Sequence, residues 1–149
     1  MFRRIFVKIC GLCRSSDVSV ALGCGADFCG FVVHPESKRG LSLERAAELA
    51  SAVPEGRRVI VDVETPTDQL ERYHDHGFDY FQIHANPEVS LATLAAWSGI
   101  VGRERLWLAP RIAPGEPFPE AALAFADTFL IDASSPERIG GTGPTGDWE

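Results

Sequence analysis

The chain has 149 residues, a hydrophobic fraction of 45% and a formal net charge of −7. That is the length of one ordinary domain with a real core, and its acidic balance argues against nucleic acid or an anionic membrane as the main partner. No apolar stretch approaches the roughly 20 residues needed to cross a bilayer. The basic start "MFRRIFVKIC" is broken by Lys8 and soon meets "RSSD", a poor signal peptide, so the expected location is the cytoplasm. In that compartment four cysteines are expected to be free thiols.

The elements alternate. "IFVKIC" reads as a buried strand that stops at Gly11. "SSDVSVALGCGA" has helical spacing at Val18, Ala21 and Leu22, with Ser15 or Ser16 as the expected cap. "DFCGFVV" is a second strand. "SLERAAELASAV" is a helix capped by Ser42, and "RRVIVDV" is a third strand. "TPTDQLERYHDHG" is a helix with Pro66 near its first turn and Gly77 beyond its last. "FDYFQIH", the helix "PEVSLATLAAWSG", "RLWLAPRI", the short helix "FPEAALAFA" and the strand "DTFLIDA" follow. The Gly-rich "RIGGTGPTGDWE" ends the sequence.

Strands that are apolar nearly throughout imply a parallel sheet covered on both faces. Six of them fit an open doubly wound sheet or part of a (β/α) barrel. Polar, reactive residues stand at the strand ends: Cys10, His34, His84, Arg111 and Asp132. A barrel gathers such ends at one mouth, which favours it. There is no GxGxxG after the first strand and no P-loop lysine pattern, so the two commonest nucleotide readings fall away. Cys10 and Cys13 admit three readings: a metal half-site with Cys24 and Cys29, a redox pair, or one catalytic cysteine. The spacing of Cys24 and Cys29 does not match a zinc ribbon, and no metal site is expected. Trp97, Trp107 and Trp148 are expected to be packing residues. His74 and His76, at the end of the third helix, are expected to be solvated or to face its dipole.

"VKICGLCRSSD", "GADFCGFVVHPESKRGLS", "FQIH", "FLIDA" and "GGTGPTGDW", in that order and spacing, resemble phosphoribosylanthranilate isomerase of tryptophan biosynthesis. The resemblance runs from Val7 to Trp148. It implies an α/β fold of the (β/α)8 TIM-barrel family, with about six of eight units in a single domain over 1–149, incomplete at its C-terminal end. It implies an Amadori rearrangement of a small sugar phosphate, N-(5'-phosphoribosyl)anthranilate, without cofactor or metal. By the same resemblance Cys10 is the general base and Asp132 the general acid. Arg39, after Ser37 and Lys38, grips the anthranilate carboxylate. His84 matches the family's histidine, and Gly140, Gly141, Thr142 and Gly143 match the loop that closes over substrate. The chain departs from the family pattern at Cys13, at Asp62 and Val63, at Ala85, at Pro144, where a lysine is usual, and at Gly146.

The family's phosphate site belongs to a seventh and eighth unit. Without them, strands one and six are expected to carry unpaired edges, and the chain is expected to self-associate or to need a completing partner. The competing expectation is a degenerate barrel homologue acting as a binding or scaffold protein.

Overall fold

The computed structural model describes residues 4–131. Six strands, β1 (Lys8–Cys10), β2 (Phe28–Val32), β3 (Arg58–Val63), β4 (Tyr80–Ala85), β5 (Leu106–Pro110) and β6 (Thr128–Phe129), alternate with helical segments. These are α1 (Ser15–Gly23), α2 (Leu43–Ala50), α3 (Thr67–His74), α4 (Leu91–Val101) and a 3-10 helix, Glu120–Ala124. Every strand pairing is parallel, and the spatial order is the chain order from β1 to β6.

That order decides between the two architectures. A doubly wound sheet reverses its strand order at a switch point, and no reversal occurs here. Right-handed crossovers that always step the same way put every helix on one face. The opposite face is left to curl around a lumen, so the described strands form a half-barrel of the TIM type.

The core divides accordingly. One face of the strands, with Phe31, Ile60, Phe81, Ile83, Leu106 and Leu108, packs against Val18, Leu49, Leu70 and Trp97 of the helices. The other face gathers Val59, Val61 and Trp107, with Cys10, Phe28, Val32, Tyr80 and Leu130 against them. Because side chains alternate along a strand, Ile60 faces helices while Val59 and Val61 face the lumen. Trp97 and Trp107 are both buried.

Four local expectations are corrected. "IFVKIC" is not a six-residue buried strand: only Lys8–Cys10 pairs, and Ile5, Phe6, Val7 and Ile9 are exposed. β1 is an edge of the described sheet, and nothing described covers its outer flank. Neither Ser15 nor Ser16 caps α1; Arg14 holds the cap position without a side-chain bond. The fifth helix is one 3-10 segment, shortened from the start by Pro117 and Pro119. The sixth strand is Thr128–Phe129, prolonged by one bond from Leu130 N to Leu108 O. Ser42 does cap α2, its hydroxyl accepting from Arg45 N at 3.2 Å, and Ser90 caps α4 in the same way. His74, the last residue of α3, is exposed as expected, and its ring also stacks on Phe81 and meets Arg105 Nη1 at 3.1 Å.

Candidate active site

The lumen is built from the inward-facing position of each strand. Its floor is aromatic: Phe28, Tyr80 and Trp107 meet edge-on or tilted, with ring centroids 4.9 to 5.5 Å apart. Above the floor the positions are polar: Lys8 opens β1 and Cys10 ends it, Gln82 and His84 lie two apart on β4, and Lys8 reaches Gln82 across the lumen.

These four groups make a chain across the lumen. The Lys8 ammonium donates to Gln82 Oε1, and the Lys8 and Cys10 side chains lie side by side over Gly30. Gln82 is buried, and its Nε2 meets His84 Nε2 at 2.9 Å. The amide orientation is thereby fixed. With Oε1 taken by Lys8, Nε2 must donate, and His84 Nε2 must accept. Burial pulls the Lys8 pKa below its ordinary value, while the charge and hydrogen bond of Cys10 pull the other way. No described carboxylate lies within ion-pair distance of Lys8.

Gly30, which pairs with Cys10 in the register, makes the room. A Cβ there would sit 2.8 Å from Lys8 Cε and 3.2 Å from Cys10 Sγ. Gly11 is constrained in two ways. Its φ of +75° lies where side chains are disfavoured. A Cβ would also strike the Arg39 guanidinium at 2.6 Å.

Arg39 is delivered by the loop after β2. Ser37 N bonds back to His34 O, Ser37 Oγ accepts from Arg39 N at 3.2 Å, and Leu41 N returns to Val32 O. Arg39 Nη1 then donates to the Cys10 carbonyl at 3.2 Å. Cys13 Sγ donates to the carbonyls of Gly11 and Arg39, so its thiol pins the loop that carries Arg39. The four cysteines are free thiols, and no group of metal-ligating side chains forms among the described residues.

Of the residues expected at the site, Arg39 meets the Cys10 carbonyl, and His84 is linked to Lys8 of β1 through Gln82. Arg111 follows β5 directly, its N bonding to Ala85 O. Asp132, Gly140, Gly141, Thr142 and Gly143 lie outside the described residues. His34 is aimed differently: its Nδ1 lies 3.3 Å from Asp62 Oδ1. Asp62 is buried and also accepts from Tyr73 Oη at 2.7 Å, Thr65 Oγ1 at 3.1 Å and Val63 N at 2.8 Å. Trp97 Nε1 donates to Thr65 O at 2.8 Å, so this network braces the top of β3 against α3 and α4.

Sequence reasoning missed Lys8, Gln82 and Gly30. A signal was present: Lys8 and Cys10, then Gln82 and His84, are polar pairs two apart within apolar strands. Period two puts both members of each pair on one face.

Comparison with known proteins gives the family. The family model described as N-(5'phosphoribosyl)anthranilate (PRA) isomerase matches residues 7–149. The N-(5'-phosphoribosyl)anthranilate isomerase of Rubrobacter xylanophilus is 38% identical over 147 residues, which are 96% of this chain and 69% of that protein. The crystal structure of phosphoribosyl anthranilate isomerase from Thermotoga maritima superposes with a TM-score of 0.76 at 28% identity, over 97% of this chain and 69% of that one. The Thermus thermophilus structure gives 0.74 at 28% identity, over 89% of this chain and 64% of that one. The chain thus spans about two thirds of the length of the proteins it matches. On the strength of the matched family model and these relatives, the chain belongs to the N-(5'phosphoribosyl)anthranilate isomerase family.

Proposed function

We propose that this chain, as a single (β/α)-barrel domain over residues 1–149, performs the isomerisation for which its relatives are named, within tryptophan biosynthesis. The observation that carries this reading is the placement of Cys10. It ends β1 on the lumen side, beside a cation, under the guanidinium of Arg39.

The rearrangement moves hydrogen within the substrate, so C1 is reduced as C2 is oxidised and no external electron carrier is required. Asp132 donates a proton to the ribose ring oxygen. The C1–O bond breaks as the anthranilate nitrogen's lone pair forms a C1=N iminium. Cys10, as thiolate, takes the C2 proton. The C–H pair becomes a C1=C2 bond, and the imine π pair returns to nitrogen. Loss of the enol proton and protonation at C1 leave the aminoketose. General acid and general base catalysis supply typically 10²–10⁴-fold each. Arg39, a planar fork, suits the anthranilate carboxylate, and by the family resemblance Gly140, Gly141, Thr142 and Gly143 belong to the segment that closes over substrate.

The test is turnover of N-(5'-phosphoribosyl)anthranilate, followed by its fluorescence, in the chain and in Cys10→Ala and Asp132→Asn. Each change is expected to lower the rate at least a hundredfold. Undiminished turnover in both variants would sink the assignment of base and acid.

A further inference from the structure

Lys8 is a cation turned into a barrel lumen whose other inward positions are largely apolar. Moving an ammonium out of water is costly unless an anion or a set of hydrogen bonds compensates it. Its ammonium donates to the Gln82 amide oxygen, and the Lys8 side chain lies beside Cys10 Sγ over Gly30. Gln82 is itself locked by His84. The ammonium is therefore held in place by a neutral amide on one side and meets a group able to become an anion on the other.

Gly30 makes the same point from sterics. It lacks the one atom that would push both Lys8 Cε and Cys10 Sγ out of place. A lumen that only needed filling would accept a methyl group there; this one keeps the space for the two side chains to meet.

We infer that Lys8 is a positioning residue for the base: its ammonium, clamped by Gln82, holds the Cys10 sulfur as a thiolate aimed at the mouth. This rests on the reading of Cys10 as the base. Protonation of the thiolate by substrate leaves Lys8 charged throughout, so the pair passes from ion pair to cation beside neutral thiol. That change sets how readily Cys10 gives up the proton it has taken. Burial outweighs the opposing influence of Cys10 and leaves the Lys8 pKa below its ordinary value.

The other described titratable or charged groups around the pair are few. Arg39 comes from the loop after β2 and contacts the Cys10 carbonyl. Cys13 donates to the Gly11 carbonyl. His84 is reached through Gln82, and Tyr80 lies in the aromatic floor below. β2 and β3 contribute Gly30, Val59 and Val61 at these levels and no titratable group.

The test does not depend on turnover. In the full chain with Cys13→Ser and Cys24→Ser, the alkylation of Cys10 by iodoacetamide is followed against pH by peptide mass. Lys8→Met is expected to raise the pH of half-maximal reaction, slowing alkylation near neutrality about tenfold, the effect of losing one close cation. Lys8→Arg is expected to restore much of it. Should Lys8→Met fail to show a cooperative urea transition, Gly30→Ala tests the same point, since it keeps the charge and displaces it; the same upward shift is expected. A profile unchanged in the folded variant overturns the inference. The two readings separate cleanly. A chain that turns substrate over yet shows no shift keeps the isomerase and loses the role of Lys8. A shift in a chain without turnover keeps the Lys8–Cys10 pair and loses the isomerase.

Discussion

Tyr73→Phe removes one hydroxyl from the network that braces the top of β3. The Tyr73 hydroxyl donates to Asp62 Oδ2 at 2.7 Å, with Tyr73 4% and Asp62 7% exposed. A bond to a buried carboxylate contributes about 1.5–3 kcal/mol. Asp62 keeps Thr65 Oγ1 and Val63 N as donors, so the carboxylate is not orphaned. The low end, about 1.5–2 kcal/mol at pH 7, is therefore expected. The pH dependence gives a sharper mark. Burial, then the hydrogen bond and charge of Asp62, push the Tyr73 phenol well above its ordinary value of 10.0. A raised folded pKa gives a contribution fully present below the unfolded value and lost as pH rises past it. Above pH 10 the unfolded phenol ionises while the folded one stays protonated. The wild type then loses about 1.4 kcal/mol per pH unit relative to the phenylalanine variant. Urea unfolding of both proteins from pH 8 to 11 should show the gap nearly closing by pH 11. A gap constant across that range would refute the buried, proton-holding role of Tyr73.

Other consequences are as direct. Ser42→Ala removes the side-chain cap of α2 and should cost about 1 kcal/mol in urea unfolding; no change would mean that α2 is fixed by packing alone. Trp97→Ala empties a fully buried site and strips the donor from Thr65 O, an expected loss of about 3–5 kcal/mol by the same assay. Phe28→Ala opens the aromatic floor, and near-ultraviolet circular dichroism should lose the signal of Tyr80 and Trp107 in a fixed array. A spectrum identical to the wild type would show that those rings do not depend on Phe28.

The alternation of strands and helices was legible because apolar runs and cap residues are local. Ser42 and Ser90 do in the structure what their type and place suggest. The edges were not, since "IFVKIC" is apolar whether or not a neighbour covers it, and pattern cannot tell a central strand from an edge. Two prolines crowd the start of the 3-10 segment, a context that composition near Ala121 and Ala122 does not reveal. At the site, Cys10 and His84 stood out as polar residues ending apolar strands, and Arg39 came from the family motif. Lys8 was passed over as an interruption of an apolar run, when its spacing from Cys10 put it in the lumen. Asp62 stood out as a departure from the family; its partners Tyr73 and His34 are 11 and 28 residues away, a proximity that only the fold creates.

The central claim is that Cys10 takes the C2 proton of the substrate. Its most direct measurement uses N-(5'-phosphoribosyl)anthranilate carrying deuterium at C2, incubated with the chain and with Cys10→Ala, the label at C2 followed by NMR. The chain is expected to remove deuterium from C2, and Cys10→Ala, still folded by urea titration, to leave it in place. Removal at an undiminished rate by the alanine variant would contradict that claim.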